Sequence, residues 1–108
     1  MPHSPDRSPD TIPVKVSQDL EAIVPGFLAN RWRDLATIEA CLKQGDLNTI
    51  RMLGHRMKGD GGGYGFDQIS MIGDRLEQAA IAQDPASIAT EVTNLTDFLA
   101  KVTVIYTP

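Results

Sequence analysis

Cysteine is nearly absent: Cys41 stands alone among 108 residues. No intrachain disulfide can form, and nothing points to an oxidising compartment. Cys41 lies in an apolar helical stretch, so it reads as a small buried hydrophobe rather than a reactive thiol. No apolar run approaches the roughly 20 residues needed to span a bilayer. A basic start followed by an apolar stretch, the mark of a secretory signal, is also missing. A soluble, cytoplasmic protein without membrane insertion is therefore expected. Positive charge is not in excess, since 10 Lys and Arg face 14 Asp and Glu for a net charge of −4. That balance argues against a nucleic-acid surface, which needs basic side chains to displace counterions. There are two histidines, His3 and His55, and no H-E-x-x-H pattern. A metal site needs several converging ligands, so none is expected. No G-x-x-x-x-G-K-[ST] loop marks a nucleotide site.

What remains suits one small helical domain. Apolar residues make up 42% and charged residues 22%, the usual globular balance. Residues 1–16 hold four prolines and no apolar period, and read as a flexible tail. His3 falls within it and is assigned no role. From residue 17 to 108 the pattern is helical. A short first turn covers Ser17 to Val24, and Pro25 suits a helix N1 position. Leu28, Leu35, Ile38 and Leu42 then recur at helical spacing, and Gly45 and Asp46 read as stop and N-cap. Leu47, Ile50, Leu53 and Met57 line the next segment, which runs into Gly61-Gly62-Gly63-Tyr64-Gly65. Glycine is a poor helix former, so this helix should fray there, with Gly65 as C′ residue. Asp67 is expected as the following N-cap, with Phe66 stapled onto Met71. Ile69, Ile72, Leu76 and Ala79 continue the pattern. Asp84-Pro85 restarts it for Ile88, Val92, Leu95, Leu99 and Val102. Val104-Ile105-Tyr106 would cover one end of the core. The connections are short, which predicts an all-α, antiparallel up-down-up-down four-helix bundle with a short extra N-terminal helix.

The third segment carries the chemistry. At about 100° per residue, Leu47, Ile50, Leu53, Gly54, Met57 and Gly61 share one broad sector that must face the core. His55 points away from it. Arg51 and Lys58 flank the imidazole on one side, and Met52 and Gly59 on the other. A glycine at position 59 costs about 1 kcal/mol of helix propensity relative to alanine. It stands at i+4 from His55, where a side chain would otherwise be the imidazole's neighbour. Gly62 clears the next turn. The result is a bare strip of helix before one exposed imidazole, with a lysine one turn on and Arg51 one turn back. Such a strip suits in-line attack on a phosphoryl group held by a second protein. Neutral imidazole is nucleophilic near pH 7, and fixed cations stabilise phosphoryl oxygens. A lone surface histidine or a glycine cluster would each mean little. Their joint placement with Lys58 is what points to function.

The run His55-Arg56-Met57-Lys58-Gly59-Asp60-Gly61-Gly62 resembles the H-x-x-K-G signature of histidine-containing phosphotransfer (HPt) domains. Leu76-Glu77 occupies the usual Leu-Glu position of the next helix, and Phe27-Leu28, Asp34-Leu35 and Gly45-Asp46 also suit that family. The resemblance covers about residues 18 to 102. It implies a four-helix bundle with His55 as the phospho-accepting residue and Nε2 as the attacking nitrogen. It further implies that Lys58 assists electrostatically and Gly59 gives access. In some relatives a carboxylate at the position of Glu77 accepts a hydrogen bond from Nδ1–H, and a solvated helix residue is the competing reading here. Three consecutive glycines, Gly61 to Gly63, depart from the serine or alanine of many relatives. Asp60 projects away from His55 and is expected to be neutral.

The resemblance implies a covalent carrier rather than an enzyme, a monomer whose partners are response-regulator receiver domains or a hybrid histidine kinase. It needs no cofactor of its own, because magnesium would sit on the partner receiver. Met52, Arg56 and Gly63 are candidate partner contacts, and Arg51 a supporting cation. The main competing reading is a helical interaction module that uses the same face without phosphotransfer. A metal-binding bundle and a hydrolase with His55 as general base lack the further residues they would need.

Overall fold

A computed structural model describes residues 10–108. His3 and most of the expected tail lie outside the described residues. Four helices carry the fold: α1 (Val24–Gln44), α2 (Leu47–Gly63), α3 (Asp67–Ile81) and α4 (Pro85–Lys101). Each connection has a local cause. Gly45 ends α1 in the left-handed conformation at φ 75°, a region that costs other residues a clash with Cβ. Asp46 then caps α2 by accepting hydrogen bonds from the Thr49 amide at 3.1 Å and the Thr49 hydroxyl at 2.6 Å. Gly65, at φ 88°, follows α2. Asp84 caps α4 through the Ser87 amide and hydroxyl, and Pro85 occupies the first turn.

The sequence expectation needs correction at several points. The fold is mostly helical with four helices, as expected, but a short two-stranded sheet is added to them. Residues 12–16, expected in the tail, belong to strand β1 (Ile12–Ser17), which pairs in parallel with β2 (Val102–Thr107). The register runs from Ile12 opposite Val102 to Ser17 opposite Thr107. Val16 is buried, and Ile12, Val14, Val102, Val104 and Tyr106 pack against the core. Pro13 is tolerated because a two-stranded sheet consists of edges. Only a single 3₁₀ turn, Gln18–Leu20, stands where the extra N-terminal helix was expected. Phe66, not Asp67, is the N-cap of α3, and its side chain makes no capping bond. Nor does it staple to Met71, which is exposed. Phe66 is instead fully buried, stacked 5.6 Å from Phe27 and edge-on 6.4 Å from Phe98. Aromatic burial at the centre of the bundle outweighs a surface staple. As expected, α2 ends inside the glycine cluster, at Gly63 with Tyr64 as C-cap and Gly65 following in the left-handed conformation, and it stays helical through Gly59 and Gly61 up to that point. Tertiary packing outweighs the weak helix propensity of those glycines.

Burial follows the predicted stripes. Ile38, Ile50, Met57, Ile69, Leu76, Ile88 and Leu95 are almost completely enclosed. Burying a side chain of this size stabilises by about 1.5–3 kcal/mol, less the entropy of ordering it. Cys41 is buried as expected, and burial pushes its thiol pKa up. Two charged side chains are buried among the described residues, Glu91, which pairs with Arg75 at 3.0 Å, and Arg31. Arg31 lies over the Phe27 ring at 4.6 Å and pairs with Asp34 at 2.9 Å, so its charge is compensated. Among the described residues, no buried side-chain nitrogen or oxygen lacks a partner.

Candidate functional site

The site begins with how closely α2 and α3 approach. A Cβ added to Gly73 would lie 2.5 Å from the Lys58 amide nitrogen and 2.8 Å from the Gly54 carbonyl oxygen. One added to Gly54 would lie 2.7 Å from the Glu77 amide nitrogen, and one on Gly61 2.5 Å from that of Ser70. Three glycines therefore let two helical backbones touch. Positions 54 and 61 meet 77 and 70, so the two helices run in opposite directions. The Ser70 hydroxyl donates to the Lys58 carbonyl at 2.5 Å and adds a polar clasp.

This proximity places α3 side chains beside the outer edge of α2. Glu77 reaches His55, with Oε2 3.0 Å from Nδ1. The imidazole side chain is 72% exposed, whereas the carboxylate is 13% exposed. An ionised carboxylate can only accept, so a neutral imidazole bonded to it would carry its proton on Nδ1 and keep a free lone pair on Nε2. Glu77 stands against the imidazole and is mostly shielded from solvent. One turn along, Lys58 Nζ lies 3.2 Å from Asp74 Oδ1. Asp74 was not among the residues singled out from sequence, since its partner depends on how α3 is rotated against α2.

The glycines on the outer face behave differently from those at the helix contact. A Cβ at Gly59, Gly62 or Gly63 would meet nothing within 4 Å. The strip before His55 is open. Arg51 does not converge on the imidazole, because its guanidinium donates to Asn48 Oδ1 at 3.0 Å, back along its own helix. Met52 and Arg56 are exposed, and the Arg56 charge is felt by Asp34 on α1. Among the described residues, no group of three or more His, Cys, Asp or Glu side chains could hold a metal ion. None of the described helices is long and apolar enough to cross a membrane.

Residues 26–102 match the family model of the Hpt domain. The chain belongs to the Hpt domain family. No curated protein and no solved structure matches it. Hpt domains are phosphocarrier modules of two-component signalling, and they engage receiver domains and kinases. The Hpt match spans all of α2 and α3, including His55, Lys58, Asp74 and Glu77. It leaves out β1 and all of β2 beyond Val102, so the strand pair joins segments on either side of the Hpt match.

Proposed function

We propose that this Hpt domain carries a phosphoryl group on Nε2 of His55. It would receive the group from a receiver-domain aspartate or a histidine kinase and donate it to another receiver. The observation that carries this reading is an outward imidazole whose Nδ1 is held by Glu77, on a strip cleared by Gly59 and Gly62. In the transfer step the Nε2 lone pair forms the nitrogen–phosphorus bond. The phosphorus–oxygen bond to the donor carboxylate breaks, and its electron pair leaves with that carboxylate. The Nδ1 proton stays shared with Glu77, which offsets positive charge developing on the ring. Lys58 supplies a cation for the phosphoryl oxygens.

Met52, Arg56 and Gly63 would contact the partner at the rim of this strip. Arg51 would contribute only general positive charge. The carrier relies on its partner for catalysis, and magnesium belongs to the partner receiver. We read it as a cytoplasmic monomer with the four helices in up-down-up-down order. The test is incubation with phosphorylated receiver domains, scoring acid-labile, base-stable phosphate. Wild type should label, and His55→Gln should keep its helical spectrum and take up none. Equal labelling of the two would refute the assignment, and no labelling of wild type would leave an interaction module as the reading.

A further inference from the structure

Lys58 is not free to serve a phosphoryl group in the structure as it stands. Its ammonium is held by Asp74 on the neighbouring helix, with side chains 49% and 45% exposed. The two side-chain rungs across α2 and α3, a hydrogen bond and an ion pair, share a spacing of three residues. His55 meets Glu77, and Lys58 meets Asp74. The first rung has a largely buried carboxylate and is anchored. The second is half in water, where an ion pair contributes little and exchanges readily. Gly62 stands four residues beyond Lys58 and leaves open space there, so the lysine stem is unobstructed on that side.

We propose that Asp74 is a positioning residue that holds the Lys58 ammonium on α3 while His55 is unmodified and yields it to the phosphoryl oxygens during transfer. This rests on the reading of His55 as the carrier. A phosphoryl group bears up to two negative charges and three acceptor oxygens, against the single charge of Asp74. The incoming group therefore outcompetes the carboxylate for Lys58. Asp74 acts only through the lysine. It keeps the cation within one turn of His55, yet sets a small barrier to its use.

The test uses phosphoramidate as a small donor, so that no protein docking enters. Nε2 attacks phosphorus, the phosphorus–nitrogen bond of the donor breaks, and ammonia leaves. Labelling rates are compared for wild type, Asp74→Asn, Asp74→Glu, Lys58→Met and the Lys58→Met/Asp74→Asn double variant, with His55→Gln as blank. Asp74→Asn should label about two- to fivefold faster, the range expected for releasing an exposed ion pair. The gain should shrink at 1 M salt, where such pairs are screened. Asp74→Glu should restore the wild-type rate, and the double variant should match Lys58→Met. If wild type labels but Asp74→Asn is unchanged or slower, or its gain survives without Lys58, the positioning role is refuted and the carrier reading stands. If wild type labels no more than His55→Gln, both fall together.

Discussion

Gly73→Ala and Gly59→Ala are the same chemical change on neighbouring helices, and the structure assigns them opposite signs. At Gly73 the new methyl would sit 2.5 Å from the Lys58 amide nitrogen and 2.9 Å from the Met57 carbonyl carbon. Both are backbone atoms of a packed helix and cannot swing aside. Ordinary contact requires α3 to retreat by roughly 1 Å, and such overpacking costs about 1–3 kcal/mol. Alanine recovers about 1 kcal/mol of helix propensity, which leaves a net loss of about 1 kcal/mol. At Gly59 the methyl meets nothing, so the propensity gain stands alone. Thermal melts should place the two variants on opposite sides of wild type, each displaced by about 4–8 °C. The same retreat would carry Glu77 Oε2 from 3.0 Å to beyond hydrogen-bonding reach of His55. Nitrogen-detected NMR of the imidazole should then lose its preference for the Nδ1–H tautomer in Gly73→Ala only. A Gly73→Ala protein that melts above wild type and keeps that tautomer would refute the argument that close helix contact builds the site.

Three further outcomes are expected. Glu77→Ala should keep the helical spectrum and slow phosphoryl uptake about tenfold, the value of one charge-assisted hydrogen bond of about 1.5 kcal/mol; a rate within twofold of wild type would remove Glu77 from the mechanism. Gly59→Glu should fold as a helical bundle yet fail to accept phosphate from a receiver, since it fills the open strip; undiminished transfer would show that the strip is not the approach path. The Asp46 and Asp84 carboxyls are held below the ordinary value of 3.8, chiefly by hydroxyl hydrogen bonds from Thr49 and Ser87. Their contribution is fully present above that ordinary value and is lost as pH falls through the lowered folded values. Urea midpoints measured from pH 6 to pH 2 should therefore drop at the acid end. An Asp46→Asn/Asp84→Asn variant should show a flatter acid limb, and an unchanged limb would contradict the assignment.

The helices and the exposure of His55 were legible in the chain because both depend on local periodicity. A residue's angle around α2 follows from counting, so His55, Gly59 and Gly62 could be placed outward and Leu53 and Met57 inward without coordinates. Caps such as Asp46 and Asp84 were legible for the same reason, since their partners lie three residues away. Strand β1 was not. Its partner stands ninety residues later, and a proline-rich segment gives no hint of which distant strand it will meet. Phe66 was misread as a surface staple because its aromatic partners, Phe27 and Phe98, come from α1 and α4.

Local periodicity thus settled that His55 faces solvent and which glycines leave it uncovered. Tertiary contact alone decided which neighbours from α3 reach it. Gly54, Gly61 and Gly73 carry no chemistry, yet backbone touching at those points brings Glu77 to Nδ1 and Asp74 to Lys58. The reason is range: a side chain's direction is set within one helical turn, whereas the gap between two helices is set by every residue packed between them.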